Sequence, residues 1–465
     1  MSRGSSTVSH AAEPLKKYQI VCYGLGDLAS QFVWTFVGSY LTIFYTDIVG
    51  FAPVIISVLM MAARIWDAVN DPMMGAIAER TKTKWGRFRP WIAFGSPFLA
   101  IFGILTFTAP FGNGTAGVVW AYITYIGAGM LYTLVNIPYS ALAGVMTTDS
   151  AERNQLNGWR SAGMFAGMII VNFCSSILML RFSNGADVAN GRGYLLTAVI
   201  YSVVAVPLFL LVFRTSREVV KPAASARISI KDSFRGLVTN KYLMLISLIM
   251  VFEMTGYMGR IAVTAYYVIY DMGSFALIGI IMSIPSIVGV PCALISPYIV
   301  KKIGKAKTLT AGMLIQGIGL IIVYFCPFTN VPMIIVGHII FGLGGVATPV
   351  MLSMVADSVD YQDFKTGIRN DGTAYATYGL ASKLGNAIGG AVGVLALSTV
   401  GYVANQQQTP AAMHGINVVV NLAPAVIFFI GAVISLFWKL SDKDADDARA
   451  KLKERSAQGT VESLS

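Results

Sequence analysis

Twelve long apolar segments run through the chain, and an aqueous fold has no means of hiding them all. They lie at about 19–48, 53–78, 91–109, 117–145, 157–180 and 194–213, then at about 242–270, 276–300, 308–326, 331–356, 372–401 and 415–438. Each is long enough, at about 1.5 Å of helical rise per residue, to cross a hydrocarbon core of about 30 Å. Only 12% of the residues are charged and 55% are hydrophobic. A soluble domain carries about 25% charged residues, so the polar surface that two or three soluble domains would need is missing. The sequence predicts an all-α polytopic membrane protein. It excludes a soluble enzyme, a disordered chain and a single-anchor receptor.

The formal charge of +11 could signal a nucleic-acid partner, but the position of the charges argues otherwise. With the N-terminus inside, 29 of the 34 Lys and Arg fall in the tails and in the loops of one side. That satisfies the positive-inside rule, predicts both termini in the cytoplasm and leaves no role for nucleic acid. The first apolar stretch is too long for a signal-peptide core, so no cleavage is expected. Cys22, Cys174, Cys292 and Cys326 stand singly in apolar segments and read as buried thiols, with neither disulfide nor metal site.

The polar stretch 214–241 divides a first half, 19–213, from a second, 242–438, with cytoplasmic tails at 1–18 and 439–465. Two echoes support a duplication. Glu79-Arg80 … Trp85-Gly86-Arg87 after the second segment is matched by Lys301-Lys302-Ile303-Gly304-Lys305 after the eighth. Thr148-Asp149-Ser150 … Gly158-Trp159-Arg160 after the fourth is matched by Ala356-Asp357-Ser358 … Gly367-Ile368-Arg369 after the tenth. Equivalent loops in two six-helix halves are the architecture of the major facilitator fold.

Ionisable groups inside apolar segments are costly and mark pathways or pairs. The second segment holds Arg64 and, at i, i+3 and i+4, Asp67, Asn70 and Asp71, three oxygen-bearing side chains on one helical face. Asp67 lies about 18 Å from the inner end, near the bilayer centre. Pro72 cannot donate to the carbonyl of Ala68. This oxygen set suits Na⁺ or a shared proton, whereas an ion pair with Arg64 would be the purely structural use of Asp67. Gln31, Asn136 and Lys383 lie at similar depths, about 15–18 Å from their inner ends, and Asp27 is one turn below Gln31. Lys383 either contacts a polar substrate or is held by a carboxylate of the other half. Glu253 and Arg260, seven residues apart, are either a structural pair or part of a cavity. Among nearby aromatics, Tyr132 is the best candidate to stack on a sugar ring.

The chain resembles the glycoside–pentoside–hexuronide cation symporters, a branch of the major facilitator superfamily. The resemblance runs over about 18–440. It rests on Tyr23-Gly24-Leu25-Gly26-Asp27, Phe44-Tyr45-Thr46-Asp47, Ala63-Arg64-Ile65-Trp66-Asp67-Ala68-Val69-Asn70-Asp71-Pro72, Lys84-Trp85-Gly86-Arg87-Phe88-Arg89-Pro90-Trp91, Asn136-Ile137-Pro138-Tyr139 and Ala356-Asp357-Ser358-Val359-Asp360-Tyr361. It implies that Asp67 and Asp71 bind the coupling cation, with Asn70 and Thr133 beside them. It implies sugar contacts from Asp27, Gln31, Tyr132, Asn136, Arg160 and Lys383. It also implies a cytoplasmic gate of ion pairs between the halves, made by Arg80, Arg87, Asp149, Asp357, Asp360 and Arg369.

The melibiose permeases of this family have acidic residues where this chain has Gln31 and Asn136, and a tryptophan where it has Ser140. Loss of two carboxylates while Arg160 and Lys383 remain would suit an anionic or differently hydroxylated sugar. The segment 401–410, which contains Gln406-Gln407-Gln408, resembles that of glucuronide and pentoside carriers. The resemblance therefore implies alternating-access symport of a glycoside, pentoside, hexuronide or short oligosaccharide with Na⁺ or H⁺. The implied setting is the bacterial cytoplasmic membrane, with the protein monomeric and without cofactor or resident metal. A membrane prenyltransferase is the rival enzyme reading, but Asp357, Asp360 and Asp363 lie about 18 Å shallower than Asp67, too far to share a metal with it. A drug exporter of the same fold would be expected to have a more apolar cavity.

Overall fold

The computed structural model describes residues 14–147, 149–219, 240–367 and 371–462. These residues form helices and connecting turns, with no β-strand among them. In chain order the helices are α1 (Lys17–Val49), α2 (Pro53–Arg80), α3 (Arg89–Leu105), α4 (Thr115–Met146), α5 (Ser150–Phe182) and α6 (Gly191–Thr215). The second set is α7 (Lys241–Asp271), α8 (Leu277–Ile303), α9 (Lys305–Phe325), α10 (Val331–Thr366), α11 (Asp371–Thr399) and α12 (Pro410–Ser435), followed by the tail helix α13 (Asp442–Glu462). Eleven of these are long and apolar enough to cross a membrane, while α3, with 17 residues, is shorter. Glu218, from the stretch after α6, closes the start of α3 by accepting from the backbone N–H groups of Arg87, Phe88 and Arg89 at 2.8, 2.8 and 3.1 Å. These donors would otherwise be orphaned at a helix N-terminus.

Helices α1–α6 pack chiefly on one another, as do α7–α12. Within each half helices approach backbone to backbone, the pairs α1–α5 and α7–α11 among them. A Cβ on Gly163 of α5 would lie 2.0 Å from the carbonyl oxygen of Gly24 on α1. On the other side, a Cβ on Gly389 of α11 would lie 2.5 Å from the carbonyl oxygen of Thr255 on α7. Only glycine permits contacts this close. The halves themselves meet through α2 with α11, α5 with α8, and α1 with α7.

Those meetings cluster at the end of the bundle opposite the basic loops. There α1 ends in a π-helical turn, Phe44–Val49, that carries Asp47. Its carboxylate accepts from the hydroxyls of Tyr270 and Tyr402, both of the second half, and from Thr46 at 2.6 Å. Thr46 also bonds the Tyr266 hydroxyl at 2.8 Å, and the Asn405 amide donates to the Asp47 carbonyl. Ser57 of α2 donates to the Ala391 carbonyl of α11 at 2.9 Å. The far end is thus tied shut by polar contacts between the halves.

The basic end is different. Asp357 binds Lys305, at 2.5 Å, and Arg449 of α13; Asp360 binds Arg449 at 2.8 Å. All four residues belong to the second half or its tail. The ion pairs of Asp357 are therefore not the inter-half pairs expected of it; it is held by cations of its own half and tail. Asp149 caps α5, accepting from the N–H groups of Ala151 and Glu152. Arg87 lies over the Phe88 ring, 5.6 Å from its centroid. Arg80 ends α2, and Arg369 lies outside the described residues. The cysteines are free, but only Cys326 is buried; Cys22, Cys174 and Cys292 are half-buried.

Candidate functional site

Helix α2 continues unbroken through Pro72, so Asp67 and Asp71 project from the same face one turn apart. Together with Trp34, Arg64, Gly129, Tyr132, Thr133, Lys383 and Asn386 they line a cavity of about 150 Å³. That is room for about five waters. The walls come from α1, α2 and α4 of one half and α11 of the other.

Each carboxylate has a tethered cation. Arg64 donates from Nη1 to Asp67 Oδ2 at 3.0 Å, and its guanidinium lies over the Trp34 ring, 5.4 Å from the centroid. Lys383 of α11 donates from Nζ to Asp71 Oδ2, and Thr133 donates from Oγ1 to Asp71 Oδ1 at 2.9 Å. Of the two uses foreseen for Lys383, the structure has the carboxylate of the other half. Tyr132 stacks on Trp34 with centroids 4.6 Å apart, which forms an aromatic wall beside the ion pairs. Asn70 is buried but is not part of this lining; its Nδ2 has no partner.

A second polar group lies beside this cavity on α1, α4 and α5. Asp27 accepts from Arg160 Nε at 2.6 Å, and the guanidinium lies over the Tyr139 ring, 5.1 Å from its centroid. Tyr139 is fixed by reciprocal bonds. Its hydroxyl donates to the Tyr23 carbonyl at 2.6 Å, and Tyr23 returns one to the Tyr139 carbonyl at 2.8 Å. The glycine contacts between α1 and α5 let Arg160 reach Asp27 at all. Gln31 Oε1 accepts from Thr35 at 2.6 Å, whereas Asn136 is held loosely, by Ser30 at 3.5 Å and Ser140 at 3.4 Å.

This pairing corrects one inference from sequence. Arg160 and Lys383 are not surplus positive charge left behind by the amides at Gln31 and Asn136, since each is neutralised by its own aspartate. Three cations face three anions. Gly129 and Asn386 were not singled out in the sequence, although each is a helical neighbour of a residue that was: Gly129 of Thr133 at i+4, Asn386 of Lys383 at i−3.

Two helical halves closed at one end around a polar, charge-paired cavity constitute a secondary transporter of the major facilitator type. Residues 22–442 match the family model described as MFS/sugar transport protein, and the chain belongs to that family, in its glycoside–pentoside–hexuronide:cation symporter branch. It is 35% identical to the isoprimeverose transporter of Lactiplantibacillus pentosus over 440 residues, which cover 94% of this chain and 91% of that one. It is 30% identical to the glucuronide carrier protein homolog of Escherichia coli (strain K12) over 447 residues, 94% of this chain and 95% of that one. The fold matches the partially occluded inward-open xylose transporter XylE from E. coli with a TM-score of 0.60 at 12% identity, covering 91% of this chain and 99% of that structure. The protein is a multi-pass cell-membrane sugar transporter, not an enzyme.

Proposed function

We propose that the protein couples entry of a glycoside, pentoside or hexuronide to a cation by alternating access, with the basic end facing the cytoplasm. The observation that carries this reading is the pair Asp67 and Asp71, lining one cavity at the junction of the halves, each bonded to a cation of the protein itself. Carboxylate and hydroxyl oxygens from Asp67, Asp71 and Thr133 make a hard-ligand set suited to Na⁺; a proton is the alternative. When the coupling cation binds, it takes the place of the Lys383 ammonium on Asp71. Lys383 is then free to turn to a sugar hydroxyl, and α11 changes its hold on α2. Sugar affinity and cation affinity rise together, since the coupling is reciprocal.

Tyr132 and Trp34 offer the ring face on which a sugar stacks, with Gln31, Asn136 and the Asp27–Arg160 pair supplying donors and acceptors. The names of the isoprimeverose and glucuronide relatives support a pentose-containing disaccharide or a uronide as substrate. In the opposite conformation Asp357 and Asp360 would exchange their present partners for cations of the first half, with Arg80, Arg87 and Arg369 as candidates.

Uptake of a radiolabelled glycoside panel into vesicles, with Na⁺ and pH gradients imposed separately, tests the reading. Asp67→Cys and Asp71→Cys should each abolish accumulation against a gradient. Full accumulation by either variant would sink the cation-site assignment.

A further inference from the structure

Arg260 of α7 is only 3% exposed, and its Nε and Nη2 have no hydrogen-bond partner. Glu253, two helical turns away, is not its counter-ion: that carboxylate accepts from Gln316 Nε2 at 2.9 Å. The guanidinium lies over the Phe341 ring, 4.8 Å from its centroid. A ring face attracts a cation but supplies no acceptor for the guanidinium N–H groups in the ring plane. A buried charge without a partner is costly. The other cations inside the bundle, Arg64, Arg160 and Lys383, are less buried than Arg260 and yet each has a carboxylate. Arg260 is the one left over among them.

Its position explains what could complete it. Arg260, Tyr257 and Thr264 of α7, with Met282 and Pro285 of α8, face Asn172 of α5 across a cavity of about 10 Å³. That volume is at the lower limit of what a single water needs. Because Asn172 belongs to the first half and the rest to the second, the space widens when the halves part at the far end. A polar stripe on α1 runs from it towards the Asp27–Arg160 pair beside the main cavity. Asp27, Gln31, Thr35 and Ser39 follow at four-residue spacing on α1, a run of about 18 Å. Thr35 donates to Gln31 at 2.6 Å, and Ser39 donates to Asn172 Oδ1 at 3.1 Å. Arg260 thus stands about 16 Å in from the Asp271 end of α7, at the upper end of a polar stripe that leads to Asp27 and Arg160.

We propose that Arg260 is a specificity-determining residue that receives the carboxylate of an anionic sugar. The inference rests on the sugar-symport reading above. The planar guanidinium fork matches a carboxylate with two parallel bonds. Tyr257 and Asn172 are placed to bond ring hydroxyls. A substrate that enters when the far end is open passes Arg260 before it reaches the Asp27–Arg160 pair beside the main cavity.

The test uses the full-length protein in proteoliposomes and matched glycosides that differ only in carboxylate against hydroxymethyl: methyl β-glucuronide with methyl β-glucoside, and methyl β-galacturonide with methyl β-galactoside. For Arg260→Gln the KM for the uronide should rise about tenfold to a hundredfold, the range expected for losing charge-assisted hydrogen bonds. The KM for its neutral partner should stay within about twofold. Arg260→Lys, a point charge without the fork, should fall between. As a readout independent of any variant, methyl β-glucuronide should raise the melting temperature of the wild type more than methyl β-glucoside does.

A parallel loss for both members of a pair would make Arg260 structural and overturn the assignment. So would stabilisation by chloride alone with no further gain from a uronide. Wild-type accumulation of the neutral sugars but not the uronides overturns the carboxylate assignment and leaves symport standing. Wild-type protein that moves none of the four under either gradient overturns both.

Discussion

Lys383→Ala offers a direct test of whether a tethered ammonium competes with the coupling cation. A charge-assisted hydrogen bond contributes about 1.5–3 kcal/mol. The Lys383 side chain is 51% exposed and that of Asp71 20%, so solvent screening lowers the contribution to about 1–1.5 kcal/mol. At about 1.4 kcal/mol per factor of ten, a Na⁺ ion no longer obliged to displace the ammonium should bind about fivefold to tenfold more tightly. Thr133 remains on Asp71 and Arg64 remains on Asp67, so the rest of the site is unchanged. Calorimetric titration of Na⁺ into nanodisc-embedded wild type and variant measures the effect without requiring transport. Gradient-driven sugar uptake should fall in the same variant, because the link between α11 and the cation site is gone. Unchanged or weaker Na⁺ binding, in a variant that melts at the wild-type temperature, would refute the competition.

Thr133→Val removes the hydroxyl that donates to Asp71 at 2.9 Å. Loss of about 1 kcal/mol should weaken Na⁺ binding about fivefold, read by the same titration. Tyr402→Phe removes one of the bonds that Asp47 receives across the far end. It should shift the population towards far-end opening by about tenfold. The readout is the rate at which an impermeant maleimide labels Ala391→Cys in a cysteine-free background; an unchanged rate would count against the latch. Gly163→Ala places a methyl group 2.0 Å from the Gly24 carbonyl oxygen. It should cost about 1–3 kcal/mol of stability through overpacking, visible as a lower melting temperature in detergent.

The parts of the site that the sequence makes visible are those that break its own pattern. Asp67, Asp71 and Lys383 stand out because the surrounding residues are apolar, and helical rise alone puts them at one depth. Thr133 does not stand out, since hydroxyls are common in membrane helices; the family resemblance supplied it. What stays hidden is pairing across long separations. Lys383 and Asp71 are 312 positions apart, and Asp47 meets Tyr402 across 355. No periodicity connects such residues, and only packing of the halves brings them together. Asp47 also sits at a helix end, where a carboxylate looks like an ordinary interfacial charge. Arg449 counts among the basic residues that report orientation, so its grip on Asp357 and Asp360 is invisible until α13 is seen folded against α10. The start of α3 is hidden for a similar reason: it begins at Arg89, two residues before the expected segment, where Glu218 from a distant stretch receives the first N–H groups.

The glycine contacts between α1 and α5, and between α7 and α11, have a bearing on how such a transporter can change its diet. Backbones locked at that distance make each half a stiff block, and the residues that enforce the stiffness are not those proposed to touch sugar from α4. Asn136 and Ser140 are not among the glycines of either seam, and their bonds to Ser30 and to each other are long. Substitutions there can redraw the menu of accepted sugars while the hinge mechanics stay as they are. Attempts to retarget the protein to a new glycoside should begin on α4 and leave the glycines alone.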